Sequence, residues 1–121
     1  MMPEPTDADA PLAAAMEQIA SLAGSAVADL ARMIEIDTSF PPGAGYGAFA
    51  DLMEELTAPL GFSARRIDVP ESLWRVEGGP AHGARTNLVA ERPSGRPVLG
   101  LYYHVDTVPA EEYAVHLVPG A

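Results

Sequence analysis

The strongest constraint on the fold is a run near the carboxyl-terminal end, Pro97-Val98-Leu99-Gly100-Leu101-Tyr102-Tyr103-His104-Val105-Asp106-Thr107-Val108-Pro109. A short apolar run of this kind suits a buried strand, and the closing proline stops it. On an extended chain, side chains two positions apart point to the same side, so His104 and Asp106 are expected to leave the strand together at its carboxyl end. In open α/β sheets the crevice beyond the carboxyl ends of the strands is the usual place for chemistry. The run therefore predicts both a sheet and a candidate site.

The preceding chain supplies helices and strands to build around it. Residues 1–10 carry Glu4, Asp7 and Asp9 with two prolines and read as a disordered acidic lead-in, leaving 11–121 as the folded part. From Pro11 onward, Leu12, Met16, Ile19, Ala23, Val27, Leu30 and Ile34 recur at steps of four and three. That spacing predicts one amphipathic helix packed on the core, with Pro11 in its first turn. Gly24 costs such a helix up to ~1 kcal/mol against alanine without ending it. Asp37-Thr38-Ser39-Phe40-Pro41-Pro42-Gly43 stops the helix, because consecutive prolines and the glycines that follow cannot continue it. A second helix is expected over 46–58, with Phe49, Leu52, Met53 and Leu56 on one side and Pro59 and Gly61 closing it.

Residues 62–69 then read as a strand at a sheet edge, a position that accommodates Arg65 and Arg66. Between Pro70 and Arg85, Trp74 and Val76 either form a short strand or pack a loop onto the core. Gly78-Gly79-Pro80 and His82-Gly83 mark turns. Thr86 to Glu91 reads as a strand, 92–96 as a tight turn and Val98 to Val105 as the next strand, the last two strands forming a hairpin or lying in one sheet. Residues 114–118 are a weak strand candidate. The predicted class is α/β, a layered sheet with two helices packed on it.

Composition narrows the function. At 121 residues the chain allows one modest domain or a piece of a larger one. A formal net charge of -10 argues against nucleic acid and against anionic membranes as partners. Cysteine is absent, which excludes disulfides and thiolate metal sites, so transition-metal ligands would come from histidine and carboxylates. No positively charged leader opens the chain and no apolar run approaches the ~18 residues of a membrane span. A cytoplasmic protein is expected.

The His104/Asp106 pair has two readings. In one, it is a metal ligand with its orienting carboxylate, since a metal-bound histidine commonly donates its second ring N–H to an acid. In the other, it is a strand-terminal histidine bonded to a neighbouring acid and nothing more. The surrounding residues bear on the choice. Leu101-Tyr102-Tyr103-His104-Val105-Asp106-Thr107-Val108-Pro109 resembles the first metal-site signature of the M20 family of metallopeptidases and deacylases. That family includes acetylornithine deacetylases, succinyl-diaminopimelate desuccinylases and aminoacylases. The similarity extends backwards, in the family's order, through Arg85-Thr86-Asn87-Leu88-Val89-Ala90 and Pro59-Leu60-Gly61-Phe62 to Ile36-Asp37-Thr38-Ser39-Phe40-Pro41-Pro42-Gly43. It covers about residues 12–109.

The resemblance implies the N-terminal portion of a dinuclear-zinc, exopeptidase-like catalytic domain, with cobalt or manganese as alternative metals. The substrate would be an N-acyl amino acid or a small peptide, cleaved at its amide bond, and the full-length enzyme would often be a homodimer. His104 would ligate one metal, and Asp106 would serve the catalytic site by holding His104 in place. The metal pair would polarise the scissile carbonyl and activate a water, and a glutamate would act as general base. The family's bridging aspartate, paired glutamates and later ligands have no match here, the chain running 15 residues past Asp106. Glu111-Glu112 comes too soon for those glutamates and reads as a solvated loop. His116 stands where the family's pattern departs and reads as a surface residue or part of a shifted tail ahead of a ligand to something else, and His82 reads as exposed rather than coordinating. With about three protein ligands needed for a catalytic zinc, the chain alone is expected to hold zinc weakly and turn over nothing at a useful rate. The rival expectation is a non-catalytic α/β remnant or interaction module that keeps the scaffold. A nucleotide-binding domain is disfavoured, since no glycine-rich phosphate motif follows any strand.

Overall fold

The computed structural model describes residues 9–93, 95 and 99–109. The chain divides into two units, Met1–Glu35 and Ile36–Ala121. Among the described residues are three α-helices, two short 3-10 turns and a two-stranded antiparallel sheet, a small α/β protein. No helix among the described residues is long and apolar enough to cross a membrane.

The first unit is helical. The regular stripe runs through two helices, α1 (Asp9–Ser21) and α2 (Ala23–Glu35), where the spacing predicts one. The break falls at Leu22, whose amide donates to Ile19 O at 3.1 Å, a tightened turn. Serines on either side explain it. Ser21 Oγ donates to Gln18 O at 2.7 Å and Ser25 Oγ to Leu22 O at 2.9 Å, so both hydroxyls compete with the helical ladder. Gly24 adds its own conformational cost one position into the resumed helix. Pro11 sits in the first turn of α1, where its missing N–H costs nothing.

The expected burial of this stripe is not found. No residue of α1 or α2 is buried, and Ile19, Val27 and Ile34 are 66%, 69% and 72% exposed. Two consecutive helices carry one stripe between them, and a stripe needs a second apolar surface to lie on. Nothing in the unit offers one among the described residues.

The second unit holds α3 (Tyr46–Thr57) and the strands β1 (Ser63–Asp68) and β2 (Thr86–Glu91). α3 ends as its sequence predicts. Pro59 forces a short 3-10 turn over Ala58–Leu60, and Gly61, at φ +85°, takes the left-handed conformation that closes it. Thr57 Oγ1 donates back to Met53 O at 2.6 Å in the last turn. The buried apolar side chains are Ala50 and Leu52, both on α3. Phe49, Met53 and Leu56 are half-buried beside them.

β1 and β2 pair antiparallel in the register Ser63↔Glu91 through Asp68↔Thr86. The pairing continues one step beyond the strands, where Val69 N donates to Arg85 O at 2.8 Å. The arginines of β1 have partners rather than mere exposure. Arg66 Nε donates to Glu54 Oε1 at 2.7 Å and its fork also pairs with Asp51, which ties β1 to α3. Those two acids hold the Arg66 guanidinium protonated well beyond its ordinary range. Arg65 approaches Glu91 across the sheet at 4.0 Å.

The predicted strand over 98–105 does not form. Val98 lies outside the described residues, and 99–106 has no regular structure. Among the described residues β2 pairs with β1 on one edge and with no strand on the other, so the expected hairpin with this run is not found. The layered sheet covered by helices is accordingly reduced to two strands with α3 against them. The candidate strand at 114–118 lies outside the described residues, as do Glu111, Glu112 and His116.

Candidate functional site

Without a strand to carry it, the 99–109 segment is held by a loop. Asp37 makes the first turn of that loop. Its Oδ1 accepts from Ser39 N at 2.9 Å and from Ser39 Oγ at 2.6 Å, a side chain standing in for a backbone turn. The hydroxyl bond first and the amide bond second hold the Asp37 carboxyl below its ordinary range. Gly43 N then donates to Ser39 O at 2.8 Å, across the two prolines. Gly43 has φ +72°, and a Cβ there would press on Arg85 and Tyr46, so glycine is required.

This loop grips the residues on either side of Asp106. Thr38, buried at 6% exposure, donates through Oγ1 to Val105 O at 2.7 Å. Ser39 and Thr107 form a parallel bridge: Phe40 N donates to Thr107 O at 2.9 Å and Thr107 N to Thr38 O at 3.2 Å. These bonds set the backbone at 105–107 and with it the Asp106 side chain.

His104 and Asp106 meet as their spacing predicts. His104 Nδ1 lies 3.0 Å from Asp106 Oδ1. A carboxylate can only accept, so Nδ1 carries the proton and Nε2 presents the ring's lone pair. Both side chains are exposed. The pair is thus an oriented imidazole open to solvent, able to bind a cation or to accept a proton at Nε2.

Arg85 occupies the other side of the loop. Its fork donates from one nitrogen to Gly43 O at 2.7 Å and His82 O at 3.1 Å, and from the other to Pro42 O at 3.0 Å. Its plane lies 4.4 Å from the ring centre of Trp74, 4.9 Å from Tyr46 and 5.8 Å from Phe40. Trp74 is itself tethered, donating from Nε1 to Val69 O at 3.2 Å. Burial raises the Tyr46 hydroxyl pKa, the Arg85 charge opposes that, and the Asp106 charge adds to it. Tyr46 is therefore a neutral hydroxyl at neutral pH, within electrostatic reach of both.

His82 is exposed, with its backbone N donating to Pro42 O at 3.2 Å. An open depression of about 390 Å³ lies beside the loop, lined by Asp37, Ser39, Pro42, Ala44 and Ala48, and neither His104 nor Asp106 faces it. The depression offers one carboxylate, already bonded to Ser39, among small apolar groups.

The pair alone does not compose a metal centre. Among the described residues no group of three or more His, Cys, Asp or Glu side chains converges. A catalytic zinc takes about three protein ligands, and the pair offers one imidazole nitrogen with the carboxylate behind it. Arg85, Tyr46, Phe40 and Thr38 are the site residues that pattern reading missed. An arginine directly before a strand, downstream of a lone tryptophan, was the available signal. Set against protein-family models, curated protein sequences and solved structures, the chain matches none of them.

Proposed function

We propose that this chain supplies one metal-ligand corner of an M20-like, metal-dependent hydrolase that cleaves amide bonds of N-acyl amino acids or small peptides. The observation that carries the reading is the His104–Asp106 hydrogen bond at 3.0 Å, which leaves Nε2 as the free donor atom. A ligand imidazole needs that arrangement, since the acid fixes the tautomer and raises the basicity of the ring. The chain's own contribution is positioning: the 37–43 loop sets Asp106, and Asp106 sets His104. In this reading further ligands and the general base come from residues other than those described.

The test is a titration of the chain with Co²⁺ and Zn²⁺, followed through the ring signals of its three histidines. His104 should respond first, His104→Ala should abolish that response, and Asp106→Ala should weaken binding by about 10–100-fold. Equal responses at His82 and His116, or unchanged binding in His104→Ala, would sink the reading. The exposed stripe of Leu12, Met16, Ile19, Val27, Leu30 and Ile34 favours a second reading, a non-catalytic scaffold acting through protein contacts. That reading gains if Co²⁺ leaves the His104 ring untouched.

A further inference from the structure

Arg85 is an unusual arginine. It is half-buried, and it donates to backbone carbonyls while lying against aromatic rings. A guanidinium suits this position because its planar fork can donate to diverging carbonyls while its face lies on a ring. A lysine would bring the charge without the fork or the plane. Besides the nearby His82 carbonyl, Arg85 takes those of Pro42 and Gly43, the closing end of the loop whose opening end, Thr38 to Phe40, bonds Val105 and Thr107. Both prolines lack an N–H, so this part of the loop has few donors with which to fasten itself. Arg85 supplies them from outside.

The position of Arg85 is in turn fixed from two directions. Its own carbonyl accepts from Val69 N at 2.8 Å, which anchors it to the end of the β1–β2 sheet. Trp74, tethered to Val69 O, covers one face. The Arg85 side chain thus joins the end of the sheet to the loop, beside the backbone bond from His82 N to Pro42 O, and the loop reaches the His104–Asp106 pair through the bonds at 105 and 107.

We infer that Arg85 is a positioning residue for the His104–Asp106 pair: it clamps Pro42 and Gly43, fixes the 37–43 loop against the β1–β2 sheet, and thereby holds Asp106 in register to bond His104. Its importance to a metal site rests on the function proposed above, whereas its control of the pair does not.

The experiment reads the ¹⁵N shifts of the His104 ring in the full chain without metal, with the β1–β2 amide signals as the control for folding. The wild type should show His104 mainly as the Nδ1–H tautomer. Arg85→Ala should lose that preference, and Arg85→Lys should fail to restore it, because charge without the fork does not clamp the loop. Thr38→Val should also shift the tautomer, and the double variant Arg85→Lys/Thr38→Val should go no further than the larger single effect, since both act along one path. A wild-type His104 tautomer in either folded Arg85 variant, restoration by lysine, or additive effects in the double variant would each overturn the inference. If both Arg85 variants lose the sheet signals, Phe40→Leu decides: removing the most distant ring should shift the tautomer partway, and no shift overturns the clamp. Failure of Co²⁺ to bind while the tautomer follows Arg85 would count against the proposed function alone.

Discussion

The Thr38 hydroxyl offers the most direct measure of how the pair is held. Its Oγ1–H bonds Val105 O at 2.7 Å across 67 residues of sequence, and the side chain is 6% exposed. Thr38→Val keeps the shape and removes the donor. A typical hydrogen bond contributes about 1 kcal/mol net, and more when its partner is left buried. Val105 is half-buried, so water recovers part of the loss, and about 1 to 1.4 kcal/mol is expected. The effect should be local, because the affected bonds are those of the 38–40/105–107 bridge. Amide hydrogen exchange reads local opening directly, and that free energy corresponds to roughly five- to tenfold faster exchange at Phe40 and Thr107. Amides of the β1–β2 ladder should keep their wild-type rates, and Thr38→Ser, which retains the hydroxyl, should stay close to wild type throughout. Unchanged exchange at Phe40 and Thr107 in Thr38→Val would refute the reasoning, and so would equal acceleration across the sheet.

Gly83 sits at φ +82°, and an added Cβ would lie 2.9 Å from Ala44 Cα, whereas Gly78 at φ +73° has open space around it. Both alanine variants meet the left-handed backbone cost of roughly 1–2 kcal/mol, but only Gly83→Ala also strikes backbone, so its denaturation midpoint should fall further; equal midpoints would contradict this. Asp37 gives a pH dependence. Its carboxyl is held below the ordinary value of 3.8 by Ser39, so its stabilising contribution is fully present above that value and is lost as pH falls through the lowered native pKa. The Ser39 amide shift should therefore move at acid pH in the wild type and stay flat in Asp37→Asn; a flat wild-type titration would remove the Asx turn from the account.

Local signals read well and long-range ones did not. α3 and its close at Pro59 and Gly61, β1 and β2 all lie within a residue or two of where spacing and punctuation put them, because caps, prolines and β-branched runs act over a few residues. The meeting of His104 and Asp106 was legible for the same reason: two positions apart is a local relation. The burial of the Leu12–Ile34 stripe and the strand at 98–105 both depend on partners distant in sequence, and no pattern within either segment names those partners. Arg85 illustrates the limit. Two of its carbonyl partners are 42 and 43 residues away, and those contacts follow from where Pro42 and Gly43 fold.

The two halves of the 99–109 segment differ in what holds them. Leu99, Leu101 and Tyr102 have strand-forming sequence yet are 78%, 84% and 95% exposed, since a strand without a neighbour has neither ladder nor cover. Residues 105–107, a few positions further on, are held by the loop's bonds from Thr38 and Phe40. Order at the pair therefore follows the loop's hydrogen bonds and not the apolar run that precedes it. The loop in turn has a proline pair that cannot donate, an aspartate that makes its turn and an arginine that closes it. Each of those residue types is explained by a bond it makes or cannot make. A pair held in this way should respond to changes at Asp37 and Thr38, which lie in the loop itself, and, on the inference drawn above, to changes at Arg85.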